Sequence, residues 1–194
     1  MKTSERILES AAALLDSGGV AAVTLRAVGQ ASGVSHNAPY KHFENRDSLL
    51  GAFATQEFQK LAAAFTAFGQ DKVQPLTKLK RALQAFSEYG RDYPSRYQLL
   101  FSDPEIAKQE GELQRAAMAS FSAFALLVAE CQKAGVLPGV PTPALAGLLY
   151  ASVHGLVDLQ ASGRMKTKKG FMSVSDGIAL LLKVLATEKH EVLR

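Results

Sequence analysis

The chain has 194 residues, 47% hydrophobic and 21% charged, an ordinary globular balance with room for one large domain or two small ones. Its single cysteine, Cys131, excludes an intrachain disulfide, and its apolar neighbours Ala129 and Val136 predict a buried structural thiol. The net charge of +4 is no argument for a nucleic-acid partner. Residues 1–50 hold five basic and five acidic side chains, residues 51–159 hold ten of each, and the excess lies in residues 160–194, with seven and three.

Nine helices and no strand are predicted. The first runs from about Ser4 to Ser17, with Ile7, Leu8, Ala11, Leu14 and Leu15 in one stripe, and Gly18-Gly19 stops it. Its start, MKTSERILES, carries charge at once and has no long apolar run, so no signal peptide is expected and the cytoplasm is the expected compartment. Thr24 should cap the second helix, Ser35 the third and Asn45 the fourth, where Asp47 suits the first turn. The fourth helix is long, from about Arg46 to Phe68, and Gly69 to Pro75 ends it. The fifth carries Leu76, Leu79, Leu83, Phe86 and Tyr89 on one face. Pro94 breaks it, and a short sixth carries Tyr97, Leu100 and Phe101.

The seventh helix spans roughly Ala107 to Ala134, followed by a Pro/Gly-rich loop to Pro143. The eighth runs from about Ala144 to Ser162 and the ninth from about Ser173 to Lys189. Between them the basic loop Arg164, Lys166, Lys168 and Lys169 reads as a solvated connector. The uncharged run Ala134–Val157 is interrupted by Pro138, Pro141 and Pro143. That leaves less than the ~20 residues a spanning helix needs, so no membrane span is expected. The eighth and ninth helices are apolar nearly all round. One face of each can pack on its own subunit, and the other needs a partner chain.

The stretch TLRAVGQASGVSHNAPYKHF, Thr24 to Phe43, carries the strongest functional signal. Two short helical patterns are joined by a tight turn at Gly33, the layout of a helix-turn-helix whose second helix lies in the major groove. That second helix is too short to bury much surface and is rich in polar, aromatic and basic groups: His36, Asn37, Tyr40, Lys41, His42. Between Asp16 and Glu44 the only formal charges are Arg26 and Lys41, both positive.

An amphipathic first helix, a glycine pair, a capped T-L-R start, A-S-G-V-S at the turn, then Y-K-H-F and N-R-D follow in order over residues 4–53. This ordered set resembles the DNA-binding domain of the TetR family of bacterial transcription regulators. The resemblance implies an all-α, nine-helix, two-domain fold: a helix-turn-helix domain over residues 1–48, and a ligand-binding and dimerisation domain over 49–194. It also implies a homodimer formed through the eighth and ninth helices, a double-stranded DNA operator, a small-molecule effector and no cofactor. YASVHGLVDLQASG resembles a subgroup whose eighth helix carries an aromatic residue, three residues, then His-Gly. Tyr150 stands where Trp is expected.

Two positions depart from the family pattern. Gly29 lies inside the second helix, at about 1 kcal/mol of helix propensity. Pro39 is expected as the fourth residue of the third helix, where its missing N–H removes about one hydrogen bond.

Thr24 can cap its helix and also donate to a phosphate. Arg26 reads as a phosphate contact or a surface ion pair. The resemblance gives Tyr40 a phosphate contact, with core packing as the alternative, and Lys41 reads as a phosphate or guanine contact. His42 either touches a phosphate or braces the fourth helix. Ser35, His36 and Asn37 enter the groove first, where Asn can pair with adenine and His can donate to guanine. Asn45 and Arg46 lie at a helix N-terminus that attracts phosphate.

No catalytic site is expected. His154 and Asp158 share a helix face, but no nucleophile or third ligand is placed, and no phosphate loop, paired-cysteine pattern or HExxH occurs. A metal-responsive reading of that pair, transcriptional activation, and an architectural DNA protein are the alternatives. The candidate effector pocket comprises Phe65, Phe86, Tyr89, Tyr97, Phe101, Met118, Phe121 and His154, with Ser122 as a further polar group. Scarce charge there predicts a neutral, largely hydrophobic ligand. Leu149, Val153, Leu156, Ile178 and Leu182 are the candidate dimer seam.

Overall fold

The computed structural model describes residues 2–35, 37–170 and 172–186. Among these residues there are ten α-helices, one 3-10 turn and no strand. The helices are α1 (Thr3–Ala22), α2 (Leu25–Ser32), α3 (Ala38–His42), α4 (Arg46–Gln70) and α5 (Pro75–Asp92). They continue as α6 (Pro94–Ser102), α7 (Pro104–Ala107), α8 (Glu112–Lys133), α9 (Thr142–Ala161) and α10 (Val174–Leu185). The 3-10 turn is Thr167–Lys169.

The tenth helix corrects the expected nine. Asp103 accepts from the backbone N–H groups of Glu105 and Ile106 at 2.9 and 3.2 Å, and Pro104 occupies the first turn. That cap and proline start a separate four-residue helix, α7, just where the long seventh helix was expected to begin. The predicted seventh, eighth and ninth helices are therefore α8, α9 and α10. Among the described residues no helix is long and apolar enough to cross a membrane.

Two compact units emerge. One comprises Met1–Lys60 with Asp92–Ala119, and the other Leu61–Arg91 with Ser120–Arg194. Their boundary falls within α4 and within α8. In the first unit α1 packs on α2, α3 and α6. The α1 stripe buries Ile7, Leu8, Ala11 and Leu15, beside the buried Val28, Leu49, Phe53 and Leu99 of the same unit. In the second unit the core holds Leu79, Leu83, Phe86, Phe124, Leu127, Leu145, Leu149 and Ile178. Each such side chain contributes about 1.5–3 kcal/mol by leaving water. Cys131 belongs to this core, fully buried, and burial pushes its thiol up to about 11. It is structural, as its neighbours predict.

The candidate seam residues pack inside the chain itself. Leu149, Val153, Leu156, Ile178 and Leu182 are all buried within the single chain. The apolar side chains left outside on α9 and α10 are Leu148, Leu159, Leu180 and Val184. A helix apolar on every side carries no periodicity to tell the two faces apart, and intrachain packing of α9 on α10 decides.

Candidate nucleic-acid interface

Local chemistry builds the head. Thr24 caps α2, its Oγ1 accepting from the Ala27 N–H at 3.1 Å. Leu25, Val28 and Gly29 turn inward, while Thr24 and Arg26 remain exposed. Gly29 is buried on the inward face of α2. Gly33 ends α2 at φ 62°, ψ 22°, a left-handed conformation that lets the chain turn sharply into α3.

The start of α3 corrects the expectation for Ser35 and Pro39. The N-cap residue is Asn37, and Ser35 contributes its backbone carbonyl, which accepts from the Ala38 N–H at 2.8 Å. Pro39 thus falls in the first turn, where its N–H would have no helical partner. It costs α3 no hydrogen bond. Ala38, Pro39 and Phe43 are buried, and Ser35, Asn37, Lys41 and His42 are exposed. Tyr40 is 52% exposed on a helix of five residues. His36 lies outside the described residues.

Two arginines have roles that sequence reasoning missed. Arg6 of α1 donates from Nη2 to the Ser32 carbonyl at 2.7 Å, tying α1 to the last turn of α2. Arg46, a candidate phosphate contact, is engaged within the chain: its Nε donates to the Val23 carbonyl at 2.7 Å and its Nη2 to the Val20 carbonyl at 2.6 Å. Those carbonyls lie where α1 ends, and a cation there also suits the negative end of the helix dipole. No local pattern could have revealed either contact, because both partners lie more than 20 positions away. Asn45 behaves as predicted: its Oδ1 accepts from the Ser48 N–H at 2.8 Å, and Ser48 Oγ accepts from the Asn45 N–H at 3.2 Å.

The helix-turn-helix built from α2, the Gly33 turn and α3 lies inside a stretch that matches known proteins. Residues 7–53 fit the model of bacterial regulatory proteins of the tetR family, and residues 79–178 fit that of the tetracyclin repressor-like C-terminal domain. The chain belongs to the TetR family. It is similar to the HTH-type transcriptional regulator TtgR of Pseudomonas putida, at 27% identity over 168 residues, covering 80% of this chain and 79% of TtgR. Among solved structures it resembles a Rhodococcus sp. RHA1 protein of unknown function, with TM-score 0.80, 24% identity, and 95% and 94% of the two chains covered. It also resembles SmeT, the repressor of the Stenotrophomonas maltophilia multidrug efflux pump SmeDEF, with TM-score 0.66, 21% identity, and 97% and 93% covered. The protein is a DNA-binding transcription regulator and not an enzyme.

The candidate pocket residues belong to both units. In the first unit Tyr97 and Phe101 lie 4.9 Å apart and Phe101 meets Phe58 edge-on at 5.5 Å. In the second unit Tyr150 is central, with Phe86 at 4.9 Å, His154 at 4.7 Å, Phe124 at 5.6 Å and Phe121 at 5.9 Å. Phe65 joins through Phe124 at 5.6 Å. Tyr89 is half-buried in the same unit, whereas Met118 is 58% exposed and Ser122 is exposed. Ser122 therefore does not supply an interior polar group.

Burial raises the Tyr150 hydroxyl well above its ordinary value, and it holds His154 down to about 4, against the pull of Asp158. At neutral pH both rings are uncharged, which suits an uncharged guest. Among the described residues no three His, Cys, Asp or Glu side chains stand together as a metal site, so His154 and Asp158 have no third ligand there.

Proposed function

We propose that this TetR-family regulator is a repressor. It would bind a palindromic operator as a homodimer in the cytoplasm, and a small, largely hydrophobic ligand would release it. The observation that carries the DNA half is the exposure of Tyr40, Lys41 and His42 on α3. A half-exposed tyrosine beside a lysine is a phosphate-binding pair, and Asn37 and His36 precede it at the groove-entering end. Thr24 and Arg26 are the backbone contacts of α2, and Ser35 a groove-edge contact. In this reading residues 1–48 are the DNA-binding domain, and residues 49–194 bind the effector and dimerise. SmeT, a repressor by its description, supports repression as the sign.

Leu148 and Leu159 on α9 with Leu180 and Val184 on α10 support a partner chain, since exposed apolar side chains of this size on adjacent helices favour a covered face. Phe65, Phe86, Tyr89, Phe121 and His154 would meet the ligand in the second unit. The test is selection of duplexes by the wild-type protein from a random library, followed by anisotropy titration and light scattering. An inverted repeat bound by a species of twice 20.8 kDa is expected. Monomeric protein, or binding with no preferred sequence, overturns the reading.

A further inference from the structure

The chain's excess of basic residues begins just after α9. Arg164, Lys166, Lys168 and Lys169 fall in the connector to α10, and no acidic residue stands between Asp158 and Asp176. Asp176 is already engaged, its carboxylate accepting from Ser173 Oγ at 2.8 Å at the start of α10. Arg164, Lys166 and Lys168 are exposed, and none makes an ion pair with a described residue.

This connector is built rather than slack. Its 12 residues, 162–173, join two helices that pack on each other, where helix–helix connections usually take about 2–8. The N–H groups of Arg164 and Met165 both donate to the Leu159 carbonyl at 2.8 Å, and Gly163 takes φ 64°, closing the end of α9. Thr167–Lys169 then wind into the 3-10 turn, which Gly170 ends at φ 98°, its N–H donating to the Thr167 carbonyl at 3.0 Å. Shortly after comes Met172, 79% exposed, the most exposed large apolar side chain among the described residues. A solvated connector accounts for the cations. It does not account for an apolar side chain this exposed beside them.

We propose that the α9–α10 connector docks on the surface of an anionic phospholipid bilayer. The cations lie against lipid phosphate and carboxylate groups, and Met172 enters the apolar boundary beneath them. Charge complementarity selects an anionic surface. The exposed methionine selects lipid over nucleic acid, whose phosphate backbone offers no apolar layer. Each basic side chain near such a surface raises affinity by about fivefold. A cluster of this size gives a reversible, salt-sensitive hold rather than an anchor. It needs no spanning helix, and it uses none of the residues assigned to DNA or to the effector.

The test sediments the full chain with vesicles of phosphatidylcholine alone and of phosphatidylcholine mixed with phosphatidylserine. Binding is expected only where phosphatidylserine is present, and it should fade as salt is raised. Lys166→Gln combined with Lys168→Gln should weaken it by about 25-fold, about fivefold for each lysine lost. The chain has no tryptophan, so Met172→Trp is a single reporter at an exposed position that folding tolerates. Its emission should shift to the blue on the mixed vesicles alone. Affinity for a duplex of arbitrary sequence should be the same with and without the two lysines. No sedimentation, equal sedimentation with both lipids, full binding by the lysine variant, or solvent-like emission on the vesicles overturns the proposal. A weaker duplex affinity in the lysine variant assigns the loop to nucleic acid and overturns it as well. So does a monomeric Met172→Trp where light scattering finds the wild type dimeric, because the methionine then belongs to the subunit interface.

Discussion

Replacing Arg46 by methionine keeps its apolar stem and removes the guanidinium. Two hydrogen bonds disappear, to Val23 and Val20, at 2.7 and 2.6 Å. Hydrogen bonds from a charged group contribute about 1.5–3 kcal/mol each when their partner would otherwise stay unsatisfied. Arg46 is only half-buried, so water replaces part of what is lost, and the pair together is worth about 2–3 kcal/mol. For a chain of this length that lowers Tm by about 4–12 °C. Arg46→Lys, with one compact ammonium in place of a fork, should recover about half of it. The decisive assay is salt dependence of binding to the selected duplex. A residue that positions the head without touching DNA lowers affinity equally at every salt concentration. Loss of a phosphate contact flattens the slope of log K against log salt by about 0.9. Lys41→Ala should show that flattening, and Arg46→Met should not. A flattened slope with unchanged Tm for Arg46→Met would refute the clamp and return Arg46 to the phosphate backbone.

Leu180→Arg or Val184→Asp should give a folded monomer by light scattering at micromolar concentration, whereas Leu149→Ala, a cavity in the chain's own core, should cost about 2–5 kcal/mol by urea denaturation. Gly33→Ala places a Cβ at φ 62° and 3.4 Å from Arg6 Nη2. It should cost about 1–2 kcal/mol and lower operator affinity, with Gly33→Asn milder in both measurements. His154 stays neutral in the folded chain down to about pH 4, while its unfolded counterpart takes a proton near pH 6.5. The unfolded state thus binds more protons between those values, and stability must fall as pH drops from 6.5 to 4. Discounted for its partial exposure, the loss is about 2 kcal/mol. A plot of Tm against pH should be flatter in that window for His154→Gln, and equal slopes would contradict it.

The features legible from sequence were those written within one or two turns. The Thr24 and Asn45 caps, the α1 stripe and the turn at Gly33 each depend on neighbours three or four residues away, and each is present. The cap of α3 was misplaced from Ser35 to Asn37 because three polar residues precede the helix and any could serve locally. The choice between the two faces of α9 and α10 was not legible, since both faces are apolar and only packing separates Leu149 from Leu148. The unit boundary inside α4 and α8 was not legible either, because both helices run through it without a break in their pattern. The roles of Arg6 and Arg46 depend on backbone carbonyls far along the chain, and a carbonyl leaves no trace in composition.

Polar contacts of unequal strength, besides apolar packing, join the 92–119 segment to the rest of its unit. Arg96 of α6 forms a two-pronged pair with Asp16 of α1, lies 3.6 Å from Glu57 of α4 and sits 4.4 Å from the Tyr93 ring. Glu57 is buried, its side chain 3% exposed, and Lys60 Nζ pairs with it at 2.6 Å, so losing Arg96 alone would not strand that carboxylate. What Arg96 adds is the tie to Asp16, a charged and two-pronged pair whose hydrogen bonds contribute about 1.5–3 kcal/mol each before solvent takes its share. The Gln109 contact to Asp47 is one neutral hydrogen bond, worth about 0.5–1.5 kcal/mol. The Arg96 network is therefore the stronger hold of α6 on α1, and Arg96→Met should lower Tm more than Gln109→Ala does.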